Sequence, residues 1–260
     1  MELVEELKKI CKHKNVEITD RCNSAIFIAM QMVSNSEKKK ILIPDQGGWF
    51  SYKKYPKFFG LEIVEVKTDY GVIDIKDLEE KSKDCCGFIF TSFAGYFAEQ
   101  DLKKISEVCR NNGCLVIEDA SGAIGDEILC NGEYSDIIVG SFGHWKPVNC
   151  GYGGFISSNL EIKGEALSMI KVYEGAYDEM YDALKNNKLP KLLELSKKVK
   201  DDLKEFDILY REKRGVNVVV RKNPKIIEYC KEKGYPFVEC PNYIRVNEEA
   251  ISIELKRLDI

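Results

Sequence analysis

The chain has 260 residues, of which 44% are hydrophobic, 10% aromatic and 32% charged. A chain this apolar buries enough surface to offset its ordering entropy, which excludes disorder. A net charge of −4 with a pI near 5.5 gives no electrostatic pull toward nucleic acid or anionic lipid. The length allows one large domain or one and a half ordinary ones. Lysine clusters such as Lys38-Lys39-Lys40 and Lys197-Lys198 lie close to glutamates and read as solvated mixed-charge surface. No apolar run approaches the ~18 residues of a membrane span, and the charged, amphipathic start lacks the apolar core of a secretion signal. A cytoplasmic protein with neither a nucleic-acid nor a membrane partner is expected. The ten cysteines form no C-x-x-C pair and are joined by only two histidines; reduced, buried thiols are therefore expected, with no metal site.

In chain order, residues 1–12 place Leu3, Leu7, Ile10 and Cys11 on one face and predict a docking helix. A turn-like segment, Thr19 to Ser24, leads into a helix over the apolar stretch Ala25 to Met30, with Asn23 or Ser24 as its N-cap. The β-rich runs Ile41–Ile43, Leu61–Val66 and Gly87–Phe90 predict strands. Residues 101–111 predict a helix through Leu102, Ile105, Val108 and Cys109, and strands follow at Leu115–Ile117, Ile137–Val139 and Gly154–Ile156. Strands apolar on both faces and separated by helices argue for a mainly parallel sheet covered on both sides. The composition divides the chain into a major domain over 1–159, a charged helical connector over 160–213 interrupted by Pro190, and a small α+β domain over 214–260.

The segment 115–158 carries the chemistry. One apolar strand ends in Glu118-Asp119, at the edge where open α/β sheets bind ligands. The next ends in Ser141; Lys146 follows five residues later, and Gly151, Gly153 and Gly154 then let backbone approach a ligand closely. An acid, a hydroxyl and a lysine at successive strand ends suit pyridoxal phosphate. That cofactor needs an amine for its Schiff base, an acid at its ring nitrogen and donors for its phosphate. A dinucleotide-binding reading fails, since no G-x-G-x-x-G follows the first strand.

Val116-Ile117-Glu118-Asp119-Ala120, Gly125, Ser141-Phe142, Lys146-Pro147 and Gly153-Gly154-Phe155 together resemble the signature of the fold-type I pyridoxal-phosphate enzymes, and within them the DegT/DnrJ-type aminotransferases. The resemblance implies a three-layer aminotransferase-like α/β major domain with a shortened C-terminal domain, and a homodimer. It also implies that Asp119 pairs with the pyridine nitrogen, Ser141 and the turn Cys22-Asn23-Ser24 hold phosphate, and Lys146 forms the internal aldimine. Trp49, or alternatively Tyr52, is implied as the aromatic stacked on the ring. Such a lysine is expected to have a depressed pKa through burial beside cations. Cys240 to Asn247 resembles the small domain of many fold-type I aminotransferases and offers Arg245 as a clamp for a substrate carboxylate. Two departures stand out: Gly122 replaces the family's glutamine, and Gly143 its histidine, with His144 one place later. The resemblance implies an aminotransferase and points toward nucleotide-linked sugars as substrates, whereas the shortened C-terminal portion and Arg245 lead to the expectation of a small amino or keto acid instead. A lyase, a desulfurase and a shortened non-catalytic subunit are the alternatives.

Overall fold

The apolar runs assemble into a seven-stranded sheet in the computed structural model, which describes residues 2–173 and 175–260. Its strands are β1 (Asn15–Thr19), β2 (Lys40–Pro44), β3 (Glu62–Val66), β4 (Cys85–Thr91), β5 (Leu115–Asp119), β6 (Ile137–Ser141) and β7 (Gly154–Ser158). They lie in the order β1-β7-β6-β5-β4-β2-β3. All run parallel except β7, which is antiparallel to both β1 and β6. Every residue of β4, β6 and β7 is buried, which is why these strands read as continuous apolar runs. β1 was not foreseen, because only Val16 and Ile18 alternate with the exposed Glu17 in its five residues.

Alternate side chains of the strands feed different layers. Ile41, Ile43, Ile89, Ile117, Val139 and Ile156 pack under the apolar face of helix α2, while Leu42, Phe88, Phe90 and Val116 point to the opposite core. Helix α1 (Glu2–Cys11) lies against β1, and α2 (Cys22–Ser34) covers β6 and β7. A short α3 (Phe50–Lys54) follows β2; α4 (Ile75–Lys81) and α5 (Leu102–Asn111) pack together, α4 on β3 and α5 on β5. This is the three-layer α/β architecture expected from the sequence.

The segment 160–213 does not behave as one connector. Helices α6 (Glu165–Met169) and α7 (Ala176–Lys185) pack on α2 and α1 respectively, whereas α8 (Leu189–Asp202) packs on the C-terminal unit. Pro190 occupies the first turn of α8, where a missing N–H costs nothing, and so starts that helix rather than breaking one. The C-terminal unit is an antiparallel sheet of β8 (Val218–Arg221), β10 (Ala250–Ile253) and β9 (Phe237–Glu239), in that order, with α9 (Pro224–Lys233) against β10.

This unit is tied to the major sheet by backbone. Val216 N and Asn217 N both donate to the Tyr96 carbonyl (2.9 and 3.0 Å), and Glu99 N donates to Arg214 O (2.8 Å). The approach is so close that a Cβ on Gly215 would lie 2.3 Å from the Phe97 carbonyl oxygen. Gly215→Ala must therefore push two backbones apart, and should cost about 1–3 kcal/mol, the usual range for overpacking. An unchanged urea midpoint would show that this junction has slack.

Candidate active site

Asp119 ends β5 with its carboxylate held from two sides: Tyr52 Oη donates to Oδ2 (2.7 Å) and Ser121 N to Oδ1 (3.0 Å). Tyr52 is wholly buried. Burial first, and then the Asp119 charge, raise its pKa well above the ordinary value, so it acts as a fixed donor. It is thus the partner of Asp119 and not a ring that stacks on a ligand. Glu118, one residue earlier, faces the other side of the sheet. There it accepts from Ser92 Oγ (2.6 Å), Ser135 Oγ (2.7 Å) and Cys130 N (2.9 Å), and burial raises its pKa despite these donors. The two adjacent acids therefore have separate tasks.

Ser141 ends β6, and its Oγ accepts from Gly143 N (3.1 Å) as the chain turns toward Lys146. Lys146 Nζ donates to Tyr96 Oη (2.7 Å). Burial lowers the pKa of this amine, but the Tyr96 phenol and the Asp119 carboxylate outweigh burial and hold it above the ordinary value. The expectation of a depressed pKa is corrected: the groups facing Lys146 favour its charged form. Tyr96 is the residue that sequence reasoning missed. Its backbone is left-handed, with φ +70°, and its ring packs on Gly122, where a Cβ would sit 3.1 Å from Cδ1. The glycine that replaces the family's glutamine thus makes room for this tyrosine.

Helix α2 starts at Cys22, earlier than expected, and its N-cap Arg21 makes no side-chain capping bond. Neither proposed cap is available: Asn23 Oδ1 accepts from Trp49 Nε1 (2.9 Å), and Ser24 Oγ donates to Asp20 Oδ1 (2.5 Å). The amides of the first turn are left without a side-chain partner, at the positive end of the helix dipole. Cys22, Asn23, Trp49, Asp119, Ser141 and Lys146 converge on one cavity of about 140 Å³, with Arg21, Ile26, Tyr96 and Ser121 completing its wall. Ser24 lies instead on a neighbouring groove with Phe27, Tyr55 and Phe58.

Arg245 is not placed as foreseen. It is 5% exposed, and its guanidinium grips Glu254 through Nε (2.6 Å) and Nη2 (2.5 Å), while Nη1 donates to the Ile244 carbonyl (3.1 Å). A wholly buried carboxylate requires such a partner, so this arginine is committed to Glu254 and is not free to clamp a substrate. It borders a second compartment of about 400 Å³ that shares Trp49, Tyr96, Ser141 and Lys146 with the first. Lys256 and Arg257, also on that wall, carry no sequence signal that separates them from surface charge.

Residues 1–186 match the DegT/DnrJ/EryC1/StrS aminotransferase family, and residues 186–260 match the MJ1341 family C-terminal domain. Among curated proteins, "Probable glycine dehydrogenase (decarboxylating) subunit 1" of Pyrococcus furiosus is 30% identical over 136 residues. That match covers 47% of this chain and 30% of the relative, so the chain spans less than a third of that protein's length. Among solved structures, a DegT DnrJ EryC1 StrS aminotransferase from Brucella abortus superposes with a TM-score of 0.72 at 15% identity, covering 97% of this chain and 84% of that one. A cysteine desulfurase from Thermococcus onnurineus NA1 gives 0.72 at 11% identity, covering 96% and 77%. At these identities the structures share the fold.

The Arg245–Glu254 pair is open to a direct test. The two partners hold the Glu254 pKa at about 2 against an ordinary 4.5, because Arg245 and Lys256 outweigh the opposing effect of burial. The stability it contributes is therefore present above pH 4.5 and is lost as the pH falls toward 2. Arg245→Gln should cost about 3–5 kcal/mol at pH 7 by stranding a buried charge. Glu254→Gln in the same chain should restore most of that loss. Denaturant titration of the two variants checks both values, and the deficit of Arg245→Gln should narrow as the pH drops below 4.5.

Proposed function

The chain belongs to the DegT/DnrJ/EryC1/StrS aminotransferase family, and we propose that it is a pyridoxal-phosphate-dependent aminotransferase built around Lys146. The observation that carries this reading is the convergence of an amine, a carboxylate, a hydroxyl and an uncapped helix N-terminus from four separate elements on one cavity. The donor set fits the cofactor. Asp119, with both oxygens oriented from behind, suits a protonated ring nitrogen; Ser141 and the first turn of α2 suit a phosphate. Trp49, pinned by Asn23, supplies a flat apolar wall. Bound there, pyridoxal phosphate supplies an aldehyde that condenses with amines and a ring that takes up the electron pair released at Cα.

The chain's own residues set how that chemistry starts. Lys146 must give up a proton to solvent or to an incoming amine before its Nζ can attack, and Tyr96 Oη, which accepts a hydrogen bond from Nζ, holds the amine in place while favouring its charged form. The same amine, once released, lies where it can carry a proton to and from a substrate carbon. Tyr52 and Ser121 keep Asp119 turned into the cavity.

A desulfurase is less well supported. Cys22 is the thiol that lines the cavity, and burial, followed by the Asp119 charge, raises its pKa well above the ordinary value, away from a nucleophilic thiolate. Cys150 Sγ donates to the Tyr152 carbonyl (3.0 Å) and lies outside both compartments. The Pyrococcus relative is named for glycine, which agrees in kind with a small amino or keto acid as substrate. A purely structural subunit would have no use for the Lys146, Asp119 and Ser141 constellation.

A homodimer completes the proposal. Phe58 is 72% and Met169 80% exposed; with Phe27, Tyr55 and Ile170 they line an apolar groove that begins at Arg21 and Asn23, residues shared with the cavity. A second copy seated there would cover this surface and shield the phosphate end of the site. Ten free cysteines agree with a reducing cytoplasm, and no helix among the described residues is long and apolar enough to cross a membrane.

Protein mixed with pyridoxal phosphate should acquire the yellow band of a lysine-bound cofactor, and Lys146→Ala should lose it. Borohydride trapping that labels Lys256 or any other lysine instead would refute the assignment. Because its neighbours keep Lys146 protonated, uptake should speed up as the pH rises above neutrality. Tyr96→Phe should raise the rate at pH 7 by removing the group that most favours the charge, and stopped-flow absorbance measures both effects. Phe58→Glu should convert the dimer to a monomer in light scattering.

A further inference from the structure

The loop that carries Lys146 bends where its sequence resists bending. Trp145 has a left-handed backbone, with φ +62°, a conformation that a bulky side chain adopts only where its surroundings impose it. Pro147 follows Lys146 and biases the lysine's own backbone toward extended values. The direction in which the amine leaves the chain therefore depends on the Trp145 peptide. Cys150 N closes the loop on the Phe142 carbonyl (2.9 Å), and Lys188 N holds the Pro147 carbonyl (3.0 Å). Neither contact reaches Trp145.

Two cations of the C-terminal unit do. Lys256 Nζ donates to the Trp145 carbonyl (3.3 Å), and the Arg257 guanidinium stands 4.8 Å from the centre of the indole, within cation–π range. Both cations are anchored in turn by ion pairs with the buried Glu254. Arg257 Nε lies 3.1 Å and Lys256 Nζ 3.6 Å from its Oε2. Trp145 is 54% exposed, so solvent alone would leave its ring free to turn. The amine that this peptide delivers donates to Tyr96 Oη (2.7 Å) and lies 5.7 Å from the centre of the Trp49 ring.

We propose that Arg257 is a positioning residue for Lys146: its guanidinium clamps the Trp145 indole and so holds the left-handed peptide that aims the amine into the cavity. The proposal rests on the aminotransferase reading for what that amine does there. Lys256 secures the same peptide at its carbonyl, and Glu254 fixes where both cations stand. The clamp acts through one side chain and asks for no ligand of its own. A reacting group misplaced by about 1 Å can lose roughly a hundredfold in rate, so a contact remote from the chemistry can govern it.

Cofactor uptake followed by stopped-flow absorbance tests this. Arg257→Gln should slow growth of the lysine-bound band about tenfold or more. Glu254 keeps Arg245 in that variant, so the fold is retained. Arg257→Lys, which leaves a cation over the ring, should return the rate to within about threefold of the parent. The slowing should also depend on the strained residue. In a Trp145→Gly background the left-handed backbone is free of steric cost, and Arg257→Gln should change the rate by less than about twofold. A merely structural loss at Glu254 would slow both backgrounds alike. Uptake by Arg257→Gln at the parent's rate, no recovery with lysine, or equal slowing in the two backgrounds overturns the proposal.

A measurement without cofactor separates the two readings. In unloaded Trp49→Phe protein Trp145 is the sole tryptophan. Its fluorescence anisotropy should decay with the whole molecule, and Arg257→Gln should add a fast local decay; an indole already mobile beside Arg257 overturns the clamp. If Arg257→Gln frees the indole in a protein that never takes up cofactor, the clamp stands and the aminotransferase reading falls. If the cofactor loads on Lys146 equally fast with and without Arg257, the reading stands and the clamp falls.

Discussion

A single carboxylate, Glu254, fixes how the C-terminal unit meets the active site. It is wholly buried, and an ion in that position persists only when its lone pairs are filled. Arg245, Asn217 and Ser252 fill them. Each of these donors comes from a different stretch: the turn after Cys240, the start of β8 and the end of β10. Satisfying one charge therefore locks three segments together, and Lys256 and Arg257 follow directly in the chain. Asn217 also donates its backbone N–H to the Tyr96 carbonyl, so the same network that solvates Glu254 sets the position of the tyrosine that faces Lys146.

The opposite end of the site depends on a close backbone approach rather than on charge. β7 begins at Gly154, which pairs with Ser141 on one side and Thr19 on the other. A Cβ there would lie 2.6 Å from Cys22 N and 2.7 Å from Gly140 O. Only glycine lets the first turn of α2 come this near the end of β6. The reversed strand is thus the spacer that brings Cys22 and Ser141, far apart in sequence, to the same cavity. Asp119 arrives one strand further along with no special device, since parallel strands naturally present their carboxyl ends on one edge.

The parts of this arrangement that were legible in the sequence are the parts set by local pattern. Buried strands announced themselves as apolar runs, and Asp119, Ser141 and Lys146 were found because each sits at or just beyond such a run. β1 escaped because five residues with two inward side chains carry too little period to register. Tyr96 escaped because its importance comes from a left-handed turn and from the empty side of Gly122, neither of which has a linear signature. Arg245 was misjudged for a related reason. Nothing in the sequence says which of three nearby cations Glu254 will claim, since that depends on how the turn at 240–247 folds back on β10. Helix capping was misread because Asn23 and Ser24, both good caps in isolation, were claimed by Trp49 and Asp20.

The two lysines that approach the Tyr96 ring show how one cluster assigns different chemistry to identical side chains. Lys146 and Lys256 lie at the same distance from the ring, and burial penalises the charge of both. Lys146 has the phenolic oxygen and Asp119 to compensate, and its pKa is raised. Lys256 has Lys146 itself as its strongest cationic opponent and a carboxylate already claimed by Arg245, and its pKa falls well below the ordinary value. Each amine therefore senses the other: discharging Lys146, as attack on a carbonyl requires, removes the largest repulsion acting on Lys256.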